Sequence, residues 1–195
     1  MKKRRDQSEI YEAALRCFAK YGYKKTTLDN IGDELGMTNV NLYGYAESKQ
    51  ALYRDSVVYA LTKWQARVTE SLADSGDDPV TLFKKLCESS ILYLSNDRVF
   101  CEVLKNDSTI FQMFPTVDPY EDVHAKSYQL IVRVLEAGME KGCFRDIDVT
   151  RVATMFFDIF KGMIIDTYIH ENQHNLLEKT NRLIDILLYG LVGRD

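Results

Sequence analysis

From Ile10 to Leu191 apolar residues return at intervals of three and four almost without interruption, so the chain has to bury helices against helices. Ile10, Ala13, Ala14, Cys17 and Phe18 stand at i, i+3, i+4, i+7 and i+8, one stripe of an amphipathic helix that Gly22 ends. Thr27 is a good N-cap for a short second helix carrying Leu28, Ile31 and Leu35. Gly36 breaks that pattern, Thr38 can cap a third helix to about Tyr45, and Ser48 a long fourth to about Leu72. The polar run from Ala73 to Pro79 reads as a linker, with Pro79 in the first turn of a helix to about Leu94. A short helix is expected over Val99 to Lys105, an irregular loop over Asn106 to Pro119, and helices over Tyr120 to Glu140, Asp148 to His170 and Asn175 to Leu191. Three prolines and ten glycines are too few for a loop-rich β fold, so the expected class is all-α.

The charge is unevenly placed. The net charge is −4, yet residues 1–50 hold nine Lys/Arg against seven Asp/Glu, and the remainder sixteen against twenty-two. A basic arm, Lys2-Lys3-Arg4-Arg5, opens the positive part. This suggests an anion-binding head on an acidic body, although a solvated terminal charge run produces the same composition. No apolar run approaches the roughly 18 residues of a membrane span, and the basic start is followed by a charged helical pattern, unlike a signal peptide. The expected compartment is the cytoplasm. Cys17, Cys87, Cys101 and Cys143 lie far apart, which reads as apolar packing of reduced thiols, not as a disulfide or a metal site.

Residues 28–45 carry the spacing of a helix-turn-helix. Two helices crossing steeply need a small residue at the contact, Gly32, and one tolerant of positive φ in the turn, Gly36. Ile31, Leu35, Met37, Leu42 and Tyr45 fall where a shared core needs apolar groups. Thr38, Asn39, Val40, Asn41, Tyr43 and Gly44 are then left outward, a short uncharged set suited to base edges: Asn pairs with adenine, and Val or Thr methyls meet the thymine methyl. Thr26 and Thr27 stand at a helix N-terminus, where hydroxyls and backbone N–H groups bind phosphate. Tyr43 and Lys49 flank the other end of the reading helix.

Over residues 10–52 the chain resembles the DNA-binding domain of the TetR (tetracycline repressor-like) family. The resemblance rests on A-A-L-x-x-F ending at Phe18, Gly22-Tyr23, Thr26-Thr27, Ile31, Leu35-Gly36-Met37-Thr38, Leu42-Tyr43-x-Tyr45 and Ser48-Lys49-x-x-Leu52. It implies a three-helix DNA-binding domain over 1–48 and a helical effector-binding and dimerisation domain over 49–195. It also implies a homodimer whose recognition helices enter successive major grooves of a pseudo-palindromic double-stranded operator. The expected DNA contacts are Thr26, Thr27, Thr38, Asn39, Val40, Asn41, Tyr43, Tyr45 and Lys49. Two departures stand out: Ala46 replaces the family's usual aromatic, and Gly44 costs the third helix about 1 kcal/mol relative to Ala.

Beyond residue 52 the likeness is architectural, save that Gly142 to Asp148 looks like the turn before the family's first dimerisation helix. The last two helices are apolar around more than one face, more than a monomer's core needs, although a wide core would read the same. Met155, Ile159, Met163, Leu183, Leu187 and Leu191 are the expected dimer residues. Aromatic residues gather in the body, and Trp64, Tyr93, Phe100, Phe111, Phe114, Tyr128 and Phe156 are the expected lining of a site for a small lipophilic effector. The resulting expectation is a ligand-released repressor; the alternative is a DNA-binding regulator answering a protein partner or redox. His170 and His174 have the spacing of a metal pair but lack a completing ligand, and His124 is isolated. No phosphate loop, nucleophile elbow or H-E-x-x-H is present, so no catalytic role, metal or cofactor is expected.

Overall fold

The computed structural model describes residues 5–73, 78–170 and 176–191, with only the backbone given for Leu177. The arm residues Lys2, Lys3 and Arg4, most of the linker, and Glu171 to Asn175 with His174 lie outside them. The described residues form nine α-helices and no strand.

Asp6 starts α1 (Gln7–Lys25) by accepting the Ser8 N–H. Gly22 does not end this helix as its position suggests; at φ 72° it kinks it, and one further turn runs on to Lys25. Thr27 and Asn30 close a reciprocal capping box at the start of α2 (Leu28–Leu35), and Gly36 leaves it at φ 60°. The third helix, α3 (Asn39–Leu42), is a single turn, shorter than the expected reach to Tyr45, and Thr38 makes no side-chain cap. The i→i+3 bonds Gly44 N–H to Asn41 O and Tyr45 N–H to Leu42 O tighten its exit.

Ser48 caps α4 (Lys49–Ala73), its Oγ accepting the Ala51 N–H. Asp78 caps α5 (Pro79–Asn96), and Asp97 caps α6 (Arg98–Asn106). A loop leads to α7 (Glu121–Glu140), and Asp148 caps α8 (Val149–Ile164). A π turn over Ile165–Ile169 extends α8, and α9 (Leu176–Leu191) closes the fold. Within the π turn, fully buried Tyr168 donates its hydroxyl to Ile91 O at 2.8 Å, pinning α8 to α5.

Helix α1 packs on α2, α4 and α6; α4 runs on to pack against α5 and α7; α8 lies on α7 and α9 on α5. One apolar core runs through all of them, from Ile10 through Val57 and Leu94 to Leu191. Long α4 therefore belongs to both ends of the molecule. No described helix is long and apolar enough to cross a membrane.

Candidate DNA-reading head and body cavity

The turn between α2 and α3 is fixed by a close backbone approach. Met37 N–H donates to Gly32 O at 2.8 Å, and a Cβ on Gly32 would lie 2.6 Å from Met37 O. Ile31, Leu35 and Leu42 are buried beneath the turn. Above it Thr38, Val40, Asn41 and Tyr43 are exposed, Val40 by 80% and Tyr43 by 57%. A valine so bare is an apolar group that gains from meeting a partner.

The other expected contacts are placed differently. Thr26 is fully buried: its hydroxyl lies 2.8 Å from Gly22 O and 3.2 Å from Cys17 O, and its N–H bonds to Gly22 O. It holds the kinked end of α1 and offers nothing to a phosphate. Thr27 is exposed, but its N–H is spent on Asn30 Oδ1 and its Oγ1 accepts from Asn30 N–H, leaving the hydroxyl hydrogen as the group available. Asn39 is half-buried and donates to Asp29 Oδ1. Tyr45, also half-buried, donates to Arg5 O, tying the start of the chain to the far side of the turn. Lys49 sends its ammonium inward to Tyr23 O and Thr26 O, 3.0 Å each, over the Tyr23 ring. A cation on the last carbonyls of a helix is an electrostatic clamp; Lys49 is built into the head more than it is presented by it.

In the body, α4, α5, α7, α8 and α9 enclose a cavity of about 90 Å³ whose wall is almost entirely apolar. Of the residues named as a ligand lining, Trp64, Phe111 and Phe156 line this cavity. Tyr93 and Phe100 do not: they stand behind Trp64, Tyr93 stacked on it at 5.5 Å and Phe100 edge-on at 6.4 Å. Tyr93 bonds to Asp97, and burial pushes its hydroxyl up to about 12. Phe114 is 87% exposed, because the loop turns it to solvent and seats Ile110 and Phe111 instead. Tyr128 packs on Phe157 from outside and donates to Thr150 O. Phe83, Phe157 and Phe160 complete the aromatic wall.

The sequence reading missed the polar members of this wall: Gln65, Ser90, His124 and Ser127. A signal was present. On α7, Val123, His124, Ser127, Leu130 and Ile131 recur at helical spacing, so His124 and Ser127 interrupt an apolar stripe. His124 is buried, with Nδ1 2.6 Å from Asp118 Oδ2 and its ring packed against Phe111 and Phe157. Its Nε2 is buried without a hydrogen-bond partner among the described residues.

Of the expected dimer residues, Met155 is 60% exposed, whereas Met163 and Leu191 are buried within the subunit. Ile159, Leu183 and Leu187 face the cavity, Ile159 and Leu183 also lining a shallow groove between α8 and α9. Ile186, 70% exposed, and Tyr189, 74% exposed, were not foreseen. A helix with two apolar faces spends one inside its own subunit, and periodicity alone does not say which. Among the described residues no three His, Cys, Asp or Glu side chains are grouped as a metal site.

Residues 10–55 match the family model for bacterial regulatory proteins, tetR family. The chain is 25% identical over 147 residues to the HTH-type transcriptional repressor KstR2 of Mycobacterium tuberculosis (strain ATCC 25618 / H37Rv), covering 75% of this chain and 73% of that protein. The fatty acid degradation regulator FadR from Bacillus halodurans has the same fold, with a TM-score of 0.80 at 18% identity over 96% of this chain and 97% of that one. FadR from Bacillus subtilis, solved in complex with stearoyl-CoA, superposes with a TM-score of 0.79 at 14% identity over 95% of this chain and 99% of that one. The head thus matches the tetR family of bacterial regulatory proteins in sequence, and along nearly its whole length the chain has the fold of these regulators.

Proposed function

We propose that this chain is a transcriptional repressor that binds a pseudo-palindromic operator as a homodimer through α3 and is released by a small lipophilic molecule held in the body cavity. The observation that carries this reading is the double duty of α4. At its start Lys49, Leu52 and Tyr53 grip α1, and further along Leu61, Trp64, Gln65 and Val68 form one wall of the cavity. A ligand that shifts α4 therefore moves the head with it. Half-sites read in successive grooves lie roughly 34–36 Å apart, so a change of a few ångströms costs affinity. The ligand must bind the two states unequally for this to happen.

Residues 1–48 act as the head and 49–195 as the body in this reading. Thr38, Val40, Asn41 and Tyr43 face bases and backbone, with the Thr27 hydroxyl on a phosphate. At about 90 Å³ the cavity is smaller than the roughly 150 Å³ space that admits benzene. A larger effector has to displace aromatic side chains, which supplies the unequal binding. The stearoyl-CoA complex of the Bacillus subtilis regulator supports a lipophilic occupant in a body of this fold.

Control by redox through Cys17 or Cys87 finds less support. A sensing thiol is exposed and readily ionised, whereas burial raises the Cys17 thiol and pushes that of Cys87 up to about 12.

The test is selection of random-sequence duplexes by the purified protein at defined salt. A palindrome with half-sites one turn apart, bound less tightly as salt rises, is the expected outcome. No enrichment at low salt overturns the DNA-binding reading.

A further inference from the structure

We infer that His124 and Ser127 form a polar anchor selective for the hydroxyl group of an otherwise apolar effector. The inference rests on reading the cavity as the effector site and names the chemistry of the head group it accepts.

The Asp118 carboxylate fixes the anchor. Its Oδ1 accepts the Tyr120 N–H at 2.8 Å, and its Oδ2 lies 2.6 Å from His124 Nδ1. A carboxylate can only accept, so when the imidazole is neutral its one hydrogen sits on Nδ1 and Nε2 keeps a lone pair. That atom is buried and unpaired in an apolar wall, where an unmet acceptor is costly. Ser127, one turn along α7 on the same side, accepts the Gln65 N–H at 2.7 Å, and Gln65 also donates to Val123 O. With its oxygen engaged, Ser127 has its hydroxyl hydrogen to give.

The wall thus offers one acceptor and one donor a helical turn apart. An alcohol or phenol oxygen satisfies both, donating to Nε2 and accepting from Ser127. An ether or ester has no hydrogen to give and leaves Nε2 unpaired. A carboxylate likewise leaves it unpaired and brings a second negative charge toward Asp118.

The test uses 1-octanol, methyl octyl ether and octane as probes. Trp64 is the chain's one tryptophan and lines the cavity, so its emission reads occupancy directly. At about pH 8, above the ordinary imidazole range, and at fixed salt, 1-octanol should bind roughly three- to tenfold more tightly than its methyl ether, the worth of one neutral hydrogen bond. His124→Phe, which keeps the ring, should abolish the preference. Asp118→Asn gives an independent reading: its oxygen stays on the Tyr120 N–H and its amide donates to Nδ1, which moves the ring hydrogen to Nε2. The ether then gains a donor, and the ratio should fall to about one. Saturable binding of all three probes with no alcohol preference, or a preference surviving both variants, overturns the anchor and leaves the cavity reading standing. No saturable response to any probe overturns the cavity reading itself.

Discussion

The Lys49 ammonium and the Thr26 carbonyl oxygen stand 3.0 Å apart, and this contact joins the start of α4 to the kinked end of α1. The same ammonium reaches Tyr23 O, and hydrogen bonds from a charged donor contribute about 1.5–3 kcal/mol each. Lys49→Ala should therefore destabilise the protein by about 3 kcal/mol, the low end for two such bonds on a half-buried side chain, visible in urea denaturation, with DNA affinity falling as a consequence. Unchanged stability with a shallower salt dependence of binding would instead make Lys49 a phosphate contact.

Asn41 poses the opposite case. It is exposed on α3, so Asn41→Ala should leave stability within about 0.5 kcal/mol. At one base pair of the selected operator, however, it should cost about 1–3 kcal/mol of discrimination. Competition binding against single-base operator variants measures this. An equal loss on every variant would remove Asn41 from base reading.

The contrast between these residues shows what could be read in advance. Caps are local, and Thr27, Ser48, Asp78 and Asp148 each sit at the start of a helix because a short side chain satisfies an N–H two or three residues on. The close pair Gly32 and Met37 is equally local, and so was the helix-turn-helix. Thr26 and Lys49 turn inward because α1 kinks at Gly22 and α4 arrives beside it, a contact between segments more than twenty residues apart. The cavity wall is more distant still. Phe111 and Phe114 are three apart in one loop, yet one is buried and the other in solvent, according to how that loop lies on the helices. His124 read as an isolated histidine because its meaning depends on Asp118 before it and on the aromatic wall around it.

Gly138 tests the body's packing. A Cβ there would lie 1.9 Å from Phe144 Cδ2, and Phe144 is buried in the turn between α7 and α8. Gly138→Ala gains helix propensity but forces the ring out of its seat. Overpacking of this kind costs about 1–3 kcal/mol, so thermal unfolding should shift down by several degrees, roughly 2–4 °C per kcal/mol for a chain of this size. Adding Phe144→Leu should restore part of the loss. No shift in the single variant would mean that Phe144 has room to move.

Ile186 and Met155 decide whether α8 and α9 present an interface. Both are largely exposed on helices whose other faces are already buried in the subunit. A monomer has no use for a bare isoleucine there, whereas a two-fold partner presenting the same residues would cover it. Ile186→Asp places a charge where such a partner would have to desolvate it, and leaves the subunit's own core untouched. Sedimentation should show the parent chain as a dimer and the variant as a monomer at micromolar concentration. The helix content should not change. Operator affinity should fall by orders of magnitude, because one head grips a single half-site. If the variant still sediments as a dimer, the exposed face of α9 is not the interface and the partner must seat elsewhere.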